Sequence, residues 1–234
     1  MTVYQKQNTF IFGNAGDSRA IVIGETKSQN EYLHGGERGG YRDNRLVIMS
    51  QTRDHKPDLP DEADRILNEY DGQINNTHAQ TLVIQAIQGV NSVAPPRPSQ
   101  KSGPLRVWVH NATYPGLAMS RSVGDILAKK AGVVAEPECS QWTFDPQDSV
   151  HVMPRFVVLA SDGIWDVMSN EQVADFVCDK KWDGKGVQKI ADAMIKHSRQ
   201  RWLNAPANIG VTQEQYADID DISVVILKLE FVQN

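Results

Sequence analysis

Cysteine is almost absent from this chain of 234 residues, with Cys139 and Cys178 the whole complement. Two thiols cannot build a disulfide framework, and they show neither Cys-x-x-Cys nor Cys/His spacing for zinc. A reducing compartment is therefore the expected home, with a single bridge between them left open. Long basic runs are lacking as well. With 24 Lys+Arg against 29 Asp+Glu and a formal net charge of −5, neither a nucleic-acid surface nor a polybasic membrane patch is expected. No apolar stretch approaches the roughly 20 residues of a membrane span, and Met1 to Phe12 lack the charged-then-apolar order of a signal peptide. There is no internal repeat. What remains is a soluble intracellular protein, cytoplasmic with the nucleus left open, that partners neither membrane nor nucleic acid.

What is present suits one globular domain over 1–234: 40% hydrophobic and 23% charged residues, enough chain to bury a substantial core. Thr9 to Ala15 and Ala20 to Gly24 read as a hairpin whose turn, Gly16-Asp17-Ser18-Arg19, displays a carboxylate. Glu25 to Asn44 is polar and glycine-rich, an expected loop; its His34-Gly35-Gly36 is taken as coincidence. Leu46 to Met49 is an expected strand. Pro60 and Asp61 open a helix that Asp71-Gly72 ends. Val93 to Pro104 packs four prolines with serine and glycine, an insertion that extends neither strand nor helix.

Beyond it, Arg106 to His110, Leu117 to Met119 and Val133 to Ala135 are strand candidates, and Phe156 to Ala160 reads as a buried strand. Ser169 with Gln172 makes a capping box ahead of Val173, Phe176 and Val177. Val187, Ile190, Ala191, Met194 and Ile195 repeat at helical spacing, and Ser223 to Leu229 closes the pattern as a strand. Clustered strands with helices between them indicate an α+β fold.

Four acidic signatures lie beside apolar runs: Gly16-Asp17-Ser18-Arg19, Arg121-Ser122-Val123-Gly124-Asp125, Ser161-Asp162-Gly163-Ile164-Trp165-Asp166 and Asp220-Asp221-Ile222-Ser223. Carboxylates at strand ends suit hard cations such as Mg²⁺ and Mn²⁺, which take oxygen ligands and retain several waters. Arg121 and Asp125 read as structural, through an internal ion pair or a bond to a backbone carbonyl. His55, in Asp54-His55-Lys56-Pro57, reads as structural rather than as a general acid.

Taken in order with Asp54-His55-Lys56-Pro57 and Pro115-Gly116-Leu117-Ala118-Met119-Ser120-Arg121, these signatures resemble the metal-dependent protein serine/threonine phosphatases, the type 2C family, over that family's C-terminal two thirds. The resemblance implies a sandwich of two antiparallel β-sheets flanked by α-helices, here lacking the N-terminal strands. A partner chain or an upstream segment would cover the edges so exposed. It further implies hydrolysis of phosphoserine and phosphothreonine in a phosphoprotein substrate by metal-activated water, with no catalytic side chain beyond the metal ligands.

By the same resemblance Asp162 and Asp220 are ligands of Mg²⁺ or Mn²⁺, Asp221 stands where the family often has Asn, and Asp17 contacts a third, weakly held metal. The family's Asp-Gly-His-Gly-Gly string, whose Asp bridges two metals, does not occur in this sequence, so two metals are implied for a complete family site, with fewer or none left open here. An inactive scaffold or regulatory module, or a fragment completed by an N-terminal segment, stands as the alternative to an enzyme. A flap with the Pro-rich insertion is expected at about 54–105, beside the cleft.

Overall fold

The computed structural model describes residues 1–26, 46–70, 72–76, 104–144, 152–205 and 218–230. The expected loop at 27–45, with His34-Gly35-Gly36, and the Pro-rich insertion at 93–103 lie outside the described residues. Two compact units form: 1–14 with 18–53 and 139–234, and 15–17 with 54–138.

Strands β1 (Thr2–Lys6), β2 (Thr9–Asn14), β3 (Arg19–Thr26), β4 (Leu46–Gln51), β8 (Glu138–Thr143), β9 (Val152–Ala160) and β10 (Val224–Lys228) build the first unit. They form a sheet of order β1-β2-β8 and a second of order β10-β9-β3-β4. Every described pairing register in them is antiparallel.

The central strands β3 and β9 are apolar on both faces, and their period of two sends alternate residues into different cores. Ile21, Ile23, Phe156, Val158 and Ala160 join one cluster; Ala20, Val22 and Val157 join the other. The first cluster is roofed by helices, with Ile164, Trp165, Met168, Val173, Val177, Ile190 and Met194 packed into it. The second is closed by the other sheet, through Phe10 and Phe12 with Trp142, whose ring centroid lies 5.7 Å from that of Phe10. The result is sheet on sheet with helices outside, the α+β sandwich expected from the resemblance.

Pro154 interrupts the run of β9, yet the β3–β9 register shifts between Ile23 and Gly24, opposite Pro154 and Phe156. A bulge is where a strand tolerates a missing N–H.

Helix α3 (Asp162–Trp165) follows β9 directly; α4 (Asn170–Val177) and α5 (Val187–Leu203) follow it. The capping box at α4 forms as expected: Ser169 Oγ accepts from the Gln172 N–H, and the Gln172 side chain accepts from the Ser169 N–H.

The second unit holds α1 (Pro60–Asp64), which runs on as a π turn over Arg65–Glu69, and a small sheet of order β5-β6-β7. Its strands are β5 (Gly72–Asn76), β6 (Leu105–Val109) and β7 (Pro115–Leu117), and α2 (Ile126–Lys129) follows. Ile66, Val107, Ala128, Ala131 and Val133 are its buried apolar core.

Two expectations are corrected. β2 and β3 are no hairpin: they lie in different sheets and face each other across the core through Phe10, Phe12, Ala20 and Val22. A strand buried on both faces, as β3 is, needs hydrogen-bonded neighbours on both sides, which β4 and β9 supply. Val133 to Ala135 is no strand either; only a single bridge, Arg121 to Val134, forms there. The question of a disulfide is also answered, since Cys139 and Cys178 are both free.

Candidate metal centre

β9 runs straight into the first acidic turn. Ser161 ends the strand in an extended conformation (φ −72°, ψ 166°), and Asp162 is the first residue of α3. Two indoles pin the turn: Trp165 Nε1 donates to the Ala160 carbonyl at 2.9 Å, and Trp202 Nε1, from α5, donates to the Gly163 carbonyl at 2.8 Å.

The segment before β10 lies directly on this turn. Ser161 N–H donates to the Ser223 carbonyl at 3.0 Å, Ser223 N–H donates to Ser161 Oγ at 3.0 Å, and that hydroxyl donates to the Asp221 carbonyl at 2.9 Å. Gly163 is needed for the approach, because a Cβ there would stand 2.4 Å from the Asp221 carbonyl oxygen. Asp162 and Asp220 are therefore each next to a residue in direct contact with the other's segment. Asp162 is half-buried and Asp220 exposed. One oxygen of Asp220 accepts from the Asp221 N–H at 2.7 Å, which fixes its carboxylate against its own backbone.

Asp17 belongs to the second unit. It follows Gly16, whose φ of +126° is open to glycine and strained for other residues. His55 clamps this corner: its N–H donates to the Gly16 carbonyl at 3.0 Å, its Nδ1 lies 3.2 Å from the Gly16 nitrogen, and its Nε2 lies 3.3 Å from a Glu138 carboxylate oxygen. The ring is fully buried, the structural role expected of it. Asp17 is 6% exposed, and its Oδ2 accepts from Lys56 Nζ at 2.5 Å. Among the described residues, no three His, Cys, Asp or Glu side chains gather where a cation could be held.

One polar cluster was not foreseen. Glu62 of α1 is fully buried and receives Arg65 on both oxygens, at 3.1 and 2.8 Å, Arg121 through Nε and Nη2 on Oε1, at 2.9 and 2.6 Å, and the Ser120 hydroxyl at 2.5 Å. Burial opposes ionisation of Glu62, but hydrogen bonds from Arg65, Arg121 and Ser120 outweigh it and hold the carboxyl well below the usual carboxylate range. Arg121 is thus structural as expected, with Glu62 and the Glu136 carbonyl as its partners. The spacing of Glu62 and Arg65, three apart on a helix, hinted at half of the cluster. Nothing local pointed to Arg121. Burial pushes the Cys178 thiol up to about 12, so it remains protonated at neutral pH.

The protein phosphatase 2C family model matches residues 1–202, and the chain belongs to that family. Among curated proteins it is similar to the probable protein phosphatase 2C 61 of Arabidopsis thaliana, 30% identical over 97% of this chain and 53% of that protein. It is likewise similar to the probable protein phosphatase 2C 64 of Oryza sativa subsp. japonica, 30% identical over 98% of this chain and 41% of that one. The chain thus spans about half the length, or less, of these relatives. Among solved structures it is similar in fold to a serine-threonine phosphatase 2C from Toxoplasma gondii, with a TM-score of 0.55 at 19% identity, covering 97% of this chain and 57% of that one. No helix among the described residues is long and apolar enough to cross a membrane.

Proposed function

We propose that this chain supplies the Asp162–Asp220 part of a Mg²⁺- or Mn²⁺-dependent serine/threonine phosphatase site, acting on a phosphoprotein inside the cell. The observation that carries the proposal is the seating of residues 221–223 on Ser161 and Gly163, which brings the Asp162 and Asp220 segments into contact. The donor set fits the ion: two carboxylates on adjoining turns, one half-buried and one exposed, leave room for the waters that Mg²⁺ retains. When bound, such a cation activates water and neutralises phosphoryl charge. The chain's own part is to orient. β9 and the two indole bonds keep Asp162 from moving with the solvent, and the Asp221 amide holds Asp220.

At Asp17 the fit differs, because Lys56 already neutralises that carboxylate. Asp17 as a ligand of a third metal therefore requires Lys56 to leave it.

Mn²⁺-stimulated phosphate release from a phosphothreonine peptide, abolished by Asp162→Asn, is the expected result. No release at any Mn²⁺ concentration would remove the enzyme reading for this chain alone. The alternative, a scaffold or a fragment completed by another segment, is favoured by the absence of Asp-Gly-His-Gly-Gly from the sequence. Adding a peptide or chain that carries that string and restoring release would identify the fragment case.

A further inference from the structure

We infer that the turn between α4 and α5, with the part of α5 it meets, is a docking surface for an acidic segment of a partner protein, an extended stretch with Asp or Glu at alternate positions. Residues 179–201 hold seven Lys or Arg against three Asp, a local net charge of +4 in a chain whose total is −5. The remainder therefore carries −9, so positive charge is gathered in one place.

An aromatic floor holds it there. Trp182 Nε1 donates to the Phe176 carbonyl at 2.7 Å, the two rings lie 5.7 Å apart, and the His197 ring of α5 lies 5.3 Å from that of Phe176. The turn is closed on itself, since Asp179 accepts from the Lys181 N–H at 2.9 Å and the Lys185 N–H donates to the Trp182 carbonyl at 2.8 Å. Over this floor stand two ammonium groups: Lys181 Nζ is 4.8 Å from the Phe176 centroid and 5.1 Å from that of Trp182, and Lys185 Nζ is 5.3 Å from the latter. Contact with a ring face positions a cation without neutralising it. Asp179 lies 2.8 Å from Lys181 Nζ, but among the described residues no carboxylate comes within ion-pair distance of Lys185 or Arg201. His197 registers the crowding: burial lowers its pKa, and the charges of Arg201 and Lys181 lower it further.

The occupant follows from what the surface lacks. α5 turns Ile190, Ala191 and Met194 into the core, and none of the large apolar side chains exposed among the described residues falls within 170–205, so there is no apolar face to enter a bilayer. A polynucleotide would run beyond the patch onto a chain whose remaining charge repels it. A short acidic segment fits instead. Alternate side chains of an extended chain stand about 7 Å apart, close to the roughly 6 Å between His197 and Arg201, four residues apart on α5. Its stems can lie along the half-buried rings of Phe176 and Trp182.

The test is the fluorescence anisotropy of a fluorescein-labelled nonapeptide of alternating Glu and Thr on the full chain at low salt, with Gln in place of Glu as the control peptide. The Glu peptide should bind, the Gln peptide should not, and high salt should release it. Lys181→Glu with Lys185→Glu should weaken binding about tenfold. Lys6→Glu with Lys130→Glu, the same change of net charge on other elements, should leave it within about twofold. The His197 imidazole resonance, assigned by His197→Gln, should shift as the Glu peptide is added. Thermal melting checks each variant; if the Lys181 and Lys185 reversal does not fold, Lys181→Gln with Lys185→Gln is read in the same way. Equal affinity of that variant and the parent, equal weakening by the Lys6 and Lys130 pair, or an unmoved His197 overturns the inference. So does tighter capture by phosphatidylserine vesicles or single-stranded RNA than by the Glu peptide, or a low-salt dimer of the parent that the Lys181 and Lys185 reversal abolishes, which would assign the surface to a second copy of the chain. The measurement needs neither metal nor phosphate release, so its outcome is separate from that of the proposed function.

Discussion

The motif acids of the two units sit in different described surroundings. In the second, side-chain cations meet the buried carboxylates: Lys56 at Asp17, and Arg65 with Arg121 at Glu62. In the first, Glu25 pairs with Arg155, whereas the backbone of the Ser161-Asp162-Gly163 turn is pinned by the Ser161 hydroxyl, the Trp165 and Trp202 indoles and the close approach at Gly163. A carboxylate already met by an internal cation is a structural charge. Asp17 already carries Lys56 on one oxygen, and this is why Asp162 and Asp220 are proposed ahead of it as ligands.

The largest expected break in this contrast is Glu62→Ala. It leaves two guanidinium groups around an empty buried position, and losing one partner of a buried pair costs about 3–5 kcal/mol. Urea unfolding followed at Trp108, the one tryptophan of the second unit, should show it. Acid sharpens the same point. Because the folded Glu62 titrates below its unfolded value, its contribution is fully present above about pH 4.3 and is lost as the pH falls from there toward the folded value. Glu62→Gln should flatten that part of the stability profile; an unchanged acid limb would show that Glu62 does not set it.

Gly163→Ala comes next. Its methyl group would meet the Asp221 carbonyl, so either β10 shifts or α3 does, at about 1–3 kcal/mol. Mn²⁺ affinity at the Asp162–Asp220 pair should fall with it, as calorimetric titration would show. Ser169→Ala removes one half of the α4 capping box and should cost about 1 kcal/mol in thermal unfolding. Asp162→Asn should change stability least, within about 0.5 kcal/mol, while abolishing Mn²⁺ binding. A large destabilisation by that substitution would mark Asp162 as structural and erase the contrast between the units.

Much of the fold was readable because β9, α4 and α5 carry strong local signals: a continuous apolar run, a capping box and a helical repeat. β1 and β8 were missed because they are edge strands with little apolar alternation. Four of the five residues of β1 are exposed, and β8 has Trp142 as its one inward anchor. The supposed hairpin failed for a different reason. Adjacent apolar runs say that two strands are near, and only the two-faced burial of β3 says that they must oppose each other across a core. Of the candidate site, the acidic turns were visible as motifs, whereas the approach of Asp221 to Gly163 was not. The Lys56 and Glu62 pairings were not, since both depend on contacts that no local periodicity encodes.

The seam between β3 and β9 also sets the order in which the protein can be completed. Glu25 and Arg155 are ion-paired across it although 130 residues separate them, and Ser161 reaches Asp221 across another 60. At ribosomal speeds β3 therefore waits on the order of ten seconds for the strand that will cover its flank. Its greasy sides stay on offer to chaperones or to aggregation meanwhile, and the two acids proposed to grip an ion meet only after that wait is over.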